Sequence, residues 1–155
     1  MFNENSLPSL FADGGARGNP VPAGAGVVLF SAEGKKLAER QLFLGKQTNN
    51  RAEWFAAILA LRLAKEEELR EFRLLFDSKL VAEQLAGRWK VKNPGLAPLA
   101  AAAKKLVENF ARVEIEHLPR EKNAAADALA NAAMNAGAPP FSEKEFLGKE
   151  EGALF

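Results

Sequence analysis

Apolar and polar positions change period several times along the chain, and the changes mark its elements. Residues 9–13 form a short apolar run ending at Asp13, which the pattern reads as a strand. It leads into Gly14-Gly15-Ala16-Arg17-Gly18-Asn19-Pro20, a sharp-turn composition. Residues 24–30 are apolar with glycines at 24 and 26, which predicts a strand crowded by neighbouring backbone. Ser31-Ala32-Glu33-Gly34 is a hairpin-type turn, and residues 35–44 alternate loosely through Leu37, Leu42 and Leu44. Three antiparallel strands in a meander follow from this.

The period then lengthens. Phe55, Ile58, Leu59 and Leu63 give a 3.6-residue stripe, flanked by Arg62, on a helix predicted over 51–68 with Asn49 or Asn50 as its cap. Residues 72–76 read as a strand ending at Asp77. A helix over 78–86 stops at Gly87. Asn93-Pro94-Gly95 breaks the chain, and 97–109 is an alanine-rich helix with Pro98 in its first turn. Residues 112–117 alternate as a strand. Asn123 is placed to cap a small-residue helix over 124–135 that Gly137 ends. The order β, β, β, α, β, α, α, β, α predicts an α/β fold, a mixed sheet with helices packed on it. Residues 1–137 read as the domain. Residues 138–155, which open near Pro139-Pro140 and mix charges with Phe141, Phe146, Leu154 and Phe155, read as a tail that docks or stays free.

Composition narrows the chemistry. The 155 residues fit one domain with a real core. No cysteine is present, which excludes disulfides, thiolate metal sites and a cysteine nucleophile; one histidine cannot build a polyhistidine site. Any metal should therefore be hard and oxygen-bound. No apolar run reaches membrane-spanning length and residues 1–10 do not read as a signal peptide, so a cytoplasmic protein is expected. Net charge is +1, yet residues 87–112 carry Arg88, Lys90, Lys92, Lys104, Lys105 and Arg112 against Glu108 alone. That local surplus is the footprint of a polyanion partner, although a solvated helix face explains Lys104 and Lys105 almost as well. Trp89 in this segment reads as packed inward.

Asp13 and Asp77 each close an apolar strand, Glu53 sits in an alanine-rich helix, and Asp127 lies in the first turn of another. Carboxylates so placed repel one another unless a cation neutralises them. Two divalent ions would do so and would serve phosphodiester hydrolysis, with Mg²⁺ suited to carboxylate and phosphate oxygens. Taken singly, an acid at a strand end or helix start is equally a cap or a solvated side chain, and spacing alone does not bring the four together.

Four segments resemble the signatures of the ribonuclease H type 1 family. They are Asp13-Gly14-Gly15-Ala16-Arg17-Gly18-Asn19-Pro20; Thr48-Asn49-Asn50-Arg51-Ala52-Glu53; Asp77-Ser78-Lys79-Leu80-Val81 with the basic run 87–93; and residues 117–131 from His117 through Asp127. They occur in family order and cover about residues 8–135. The resemblance implies a five-stranded mixed sheet with its first strand central and helices on both faces. It implies that Asp13, Glu53, Asp77 and Asp127 converge on two Mg²⁺ ions, or Mn²⁺. The implied activity is endonucleolytic hydrolysis of the RNA strand of an RNA–DNA hybrid, leaving 5′-phosphate and 3′-hydroxyl ends. It further implies RNA-strand contacts from Asn19, Asn50 and Lys79, a DNA-phosphate grip at Thr48, and close backbone approach at Gly14 and Gly15. Arg88, Lys90, Lys92 and Arg120 become candidate substrate contacts. His117 becomes a candidate proton carrier, histidine being the side chain suited to that task near neutral pH. No obligate protein partner is expected, and a monomer is. Alternatives on the same fold are a non-catalytic hybrid- or RNA-binding module, or a nuclease that also cuts double-stranded RNA.

Overall fold

A computed structural model describes residues 7–18 and 21–152. Asn19, and Leu154 and Phe155 of the tail, lie outside the described residues. The strands are β1 (Ser9–Ala16), β2 (Val21–Phe30), β3 (Lys36–Gln47), β4 (Glu71–Phe76) and β5 (Arg112–His117). The helices are α1 (Asn49–Glu66), α2 (Lys79–Leu85), α3 (Ala97–Val107), α4 (Ala124–Ala136) and α5 (Glu143–Gly152). They build a five-stranded sheet in the order β3-β2-β1-β4-β5, with β1 central. β1, β2 and β3 pair antiparallel, while β4 and β5 join parallel to β1 and to each other. This is the mixed sheet that the sequence predicts.

Two glycine positions reveal the layers. A Cβ on Gly14 would stand 2.1 Å from the Ala52 carbonyl of α1, and one on Gly26 would stand 2.4 Å from the Ala126 carbonyl of α4. Gly14 pairs with Ala25 and Gly26 with Asp13, so Gly14 and Gly26 face opposite sides of the sheet. Helix α1 therefore covers one face and α4 the other. Side-chain-free positions let both helix backbones reach the strands that carry the chemistry.

Helix α1 is buried almost all round, because the sheet lies on one side and α3 and α5 lie on others. Trp54, Phe55, Ile58, Leu61 and Leu63 are all at most 1% exposed. Burying each such side chain contributes roughly 1.5–3 kcal/mol of transfer free energy, so α1 is the anchor of the core. Glu53 sits inside this apolar helix and is 5% exposed.

Several local expectations need correction. β1 does not stop at Asp13: Gly14, Gly15 and Ala16 continue the ladder against Ala25, Gly24 and Ala23, because the glycine-containing β2 recruits them. The N-cap of α1 is Thr48, whose hydroxyl accepts from the Arg51 N–H at 3.2 Å, rather than either asparagine. Helix α4 begins after Asn123, but the Asn123 side chain makes no cap hydrogen bond. Trp89 is 43% exposed, with Lys79 Nζ 5.9 Å from its ring centroid, rather than packed inward. Gly87 and Gly137 do end helices in left-handed backbone, as predicted, with φ of 83° and 61°.

Beyond Gly137 the chain turns back onto α1. Phe141 and Phe146 stack edge-on against Phe55, at centroid distances of 5.2 and 5.6 Å. Phe146 is 8% exposed, the Arg62 guanidinium lies 3.9 Å over its ring, and Arg62 also donates to its carbonyl. Among the described residues no helix is long and apolar enough to cross a membrane.

Candidate active site

The parallel ladder between β1 and β4 ends at the pair Ala12 and Phe76, although β1 itself runs on against β2. The next residues, Asp13 and Asp77, are thereby brought together from positions 64 apart in sequence. Helix α1 contributes Glu53 from above, because Gly14 lets it sit down on β1. Asp13, Glu53 and Asp77 each offer a carboxylate oxygen, and these oxygens all lie within 4.8 Å of one another. Asp127, from the first turn of α4 on the other face, comes within hydrogen-bonding reach of Asp13. All four carboxylates line one cavity of about 410 Å³.

Electrostatics there are unfavourable without a counter-charge. Burial pushes the Asp13 carboxyl up to about 8, and the charge of Asp77 and the contact with Asp127 push the same way. Glu53 is held well above the ordinary carboxylate range, first by burial and then by Asp13 and Asp77. The Gly14 N–H bonds to the Glu53 carboxylate, and the Arg120 guanidinium also favours its charged form. Glu53 Oε2 nevertheless remains buried with no hydrogen-bond partner. A buried, unpartnered carboxylate oxygen aimed among other carboxylates is costly on its own and suits a hard cation. The donor set, all oxygen and all acidic, fits a divalent ion of the magnesium or manganese type.

Around the acids the predicted residues divide. Gly14, Gly15 and Arg120 line the cavity. Gly14 is buried and occupied by helix packing, so its missing side chain serves α1 rather than approach from solvent. Gly15 is partly exposed and has no close neighbour, a Cβ there standing 3.8 Å from the nearest atom. His117 is exposed at the end of β5, opposite Phe76, and is not among the lining residues. Thr48 and Asn50 are exposed at the start of α1 and also stand outside the lining, where Asn49 takes the place expected of Asn50. Lys79 is the exposed first residue of α2, capped by Ser78. Lys90 and Lys92 are exposed. Arg88 is held by Glu83 through two contacts of 2.8 Å, and Arg112 pairs with Glu114, so the basic surplus is smaller than the sequence suggests.

Three contributors escape sequence reasoning. Asn123 is 1% exposed and donates to the Ala12 carbonyl at 2.9 Å and to Asp77 Oδ2 at 3.4 Å. Arg17 reaches the backbone and side-chain oxygens of Asn131 at 3.3 Å, and both residues line the cavity. All three lie in the signature segments 13–20 and 117–131, but nothing in the pattern gave them these contacts.

The chain matches the reverse transcriptase-like family over residues 11–133. It is 48% identical over 128 residues to a bifunctional protein of Mycobacterium tuberculosis, covering 82% of this chain and 35% of that one. The solved N-terminal RNase H domain of that protein superposes with a TM-score of 0.81 at 46% identity, over 85% of this chain and 96% of the domain. Ribonuclease HI of Halobacterium salinarum is 42% identical over 125 residues, 81% of this chain and 63% of its own. LC11-RNase H1, solved in complex with an RNA/DNA hybrid, superposes with a TM-score of 0.78 at 39% identity, covering 83% of this chain and 97% of its own. The chain thus spans about a third of the length of the mycobacterial relatives it matches.

Proposed function

This chain belongs to the ribonuclease H family, and from that premise we propose that it is an endoribonuclease that hydrolyses the RNA strand of RNA–DNA hybrids, leaving 5′-phosphate and 3′-hydroxyl ends. The observation that carries the reading is the meeting of Asp13, Glu53 and Asp77 within 4.8 Å, with Glu53 Oε2 buried and unpartnered and Asp127 in the same cavity. Asp13, Glu53, Asp77 and Asp127 are the residues that would hold two Mg²⁺ ions, or Mn²⁺ in their place. Held there, such ions would supply activation of a water for in-line attack and stabilisation of the departing 3′ oxygen.

The chain's own residues do the rest. Burial disfavours the charged forms of Asp13 and Glu53, so these two carboxylates have the most to gain from positive charge in the cavity. Asn123 holds Asp77 against β1, and Gly14 orients Glu53 through its N–H. Arg120 and Arg17 place positive charge on the cavity wall, where a phosphate can meet it. Asn49 and Asn50 present amides that can donate to and accept from a 2′-hydroxyl, the group that separates RNA from DNA. Lys79, Trp89, Lys90 and Lys92 form an exposed cationic and aromatic surface for the duplex backbone. Asn19 and Thr48 remain proposed contacts, Thr48 in addition to its capping bond. His117, exposed beside the end of β4, is a proposed proton carrier for product departure. A cytoplasmic monomer that needs no partner protein completes the reading.

The test is a panel of labelled substrates with Mg²⁺: RNA–DNA hybrid, single-stranded RNA, double-stranded RNA and DNA. Cutting confined to the RNA strand of the hybrid supports the proposal. Equal cutting of double-stranded RNA widens the substrate class, and hybrid binding without cutting in every divalent ion tried replaces it with a binding module.

A further inference from the structure

Beyond the Arg88 and Trp89 N–H bonds to the Glu83 carbonyl and the buried Leu96, two side chains from outside the segment between α2 and α3 tie down its carbonyls. Gln84 Nε2 donates to the Lys90 carbonyl at 3.1 Å, and Arg51 donates to the Gly95 carbonyl. Lys90 and Lys92 are exposed and lie at or between these ties. Arg51 is a junction for four parts of the fold. Its Nε donates to Gln47 Oε1 at 3.0 Å at the end of β3, its guanidinium stands 5.6 Å from the Phe55 ring, and its other arm pairs with Glu143 in the first turn of α5. The Arg51 side chain is 22% exposed and that of Glu143 is 42% exposed.

A guanidinium is a planar fork, so fixing one arm aims the other. The Glu143 carboxylate fixes one arm of Arg51 and thereby directs the other at the Gly95 carbonyl. Without that carboxylate the fork is held from the β3 side alone, by Gln47 on Nε, and its grip on the Gly95 carbonyl, next to the buried Leu96, is weakened. We propose that α5 belongs to the substrate-binding apparatus: Glu143 is a positioning residue that, through Arg51 and the Gly95 carbonyl, holds the Lys90–Lys92 segment in place against the backbone of a hybrid duplex. This rests on the hybrid reading above and extends it to a helix none of whose described residues lines the cavity. Phe141 and Phe146, packed on Phe55, hold α5 where Glu143 can act.

The experiment compares the parent chain with Glu143→Gln, Arg51→Lys and Glu66→Gln. The last removes a different exposed ion pair, with Arg40, far from the segment. Binding of a fluorescent hybrid is read by anisotropy without divalent ion across a salt series, and cleavage is read with Mg²⁺. Glu143→Gln and Arg51→Lys are each expected to weaken hybrid binding about three- to tenfold and to flatten the salt slope by about one, the signature of a lost phosphate contact. In cleavage the loss is expected in KM, with kcat within about twofold of the parent. The double variant is expected to be no worse than either single one, because both break the same chain of contacts. Glu66→Gln should match the parent in every readout. The inference is overturned if both variants, folded by circular dichroism, keep the parent's affinity and salt slope, or if Glu66→Gln shows the same loss. A parent chain that neither binds nor cuts the hybrid instead removes the proposed function, and this inference with it.

Discussion

The Asn123 side-chain amide donates to Asp77 Oδ2 at 3.4 Å while its stronger bond, 2.9 Å, goes to the Ala12 carbonyl. One buried side chain thus clamps the fourth strand's terminal acid to the backbone beside Asp13. Asn123→Ala removes both bonds and leaves the Ala12 carbonyl without this partner. Expected are a loss of about 1–3 kcal/mol in stability and a roughly 10–100-fold loss in metal affinity or activity. Urea denaturation and calorimetric Mn²⁺ titration check the two parts separately.

Gly14 and Gly15 are adjacent but predict opposite outcomes. Gly14→Ala drives a methyl to within 2.1 Å of the Ala52 carbonyl and 2.6 Å of the Glu53 nitrogen, so α1 must lift. We expect a loss of about 1–3 kcal/mol or more, accompanied by a displaced Glu53 and lost cleavage. Gly15→Ala meets nothing closer than 3.8 Å and should fold with a melting temperature within a few degrees of the parent. Thermal melts of the two variants side by side read the difference.

The acid cluster predicts an inverted pH response in the absence of divalent ions. The Asp13 carboxyl is raised from 3.8 to about 8 in the fold. Between those values the folded chain holds a proton that the unfolded chain has released, so stability falls as pH rises through the window. Below it the contribution is fully present; above about 8 it is gone. Divalent ions displace the proton, so their stabilising effect should grow with pH over the same range. Denaturation in EDTA at pH 5 and pH 8 should show the parent weaker at pH 8, with Asp13→Asn losing only part of that difference, because burial raises Glu53 in the same direction.

Phe146 ties the residues after Gly137 to α1. Phe146→Ala removes a ring that is 8% exposed and touches Phe55, Phe141 and Arg62. We expect a loss of about 2–4 kcal/mol, toward the lower part of the range for buried aromatics because the site lies near the surface. A single cooperative unfolding transition in the parent would show that α5 melts with the sheet.

The legible part of the site is the part that strand periodicity exposes. Asp13 and Asp77 each interrupt an apolar run, and Glu53 interrupts an alanine-rich helix; such breaks are visible without coordinates. Their convergence is not, because spacing says nothing of which strands become neighbours, and only the family signatures supply that. Asn123 reads as a helix cap, since a polar residue before a helix usually is one, yet its side chain turns to the sheet and satisfies β1 instead. Trp89 reads as packed inward, since it is interleaved with basic residues, yet it stands 43% exposed with Lys79 near its ring. Glu143 and Arg51 stand 92 residues apart, so their pairing leaves no local pattern. What local propensity cannot see is tertiary choice of hydrogen-bond partner.

Whether the buried carboxylates gathered by the sheet serve divalent-ion hydrolysis of a hybrid is decided at Glu53. Cleavage of a hybrid labelled on its RNA strand is measured against Mg²⁺ concentration for the parent and for Glu53→Gln, with folding confirmed for both. Expected are no cutting without divalent ion, a saturable onset with it, and a loss of at least about 100-fold in the variant. Cutting that persists in EDTA, or a folded Glu53→Gln that cuts within a few-fold of the parent, would contradict that role.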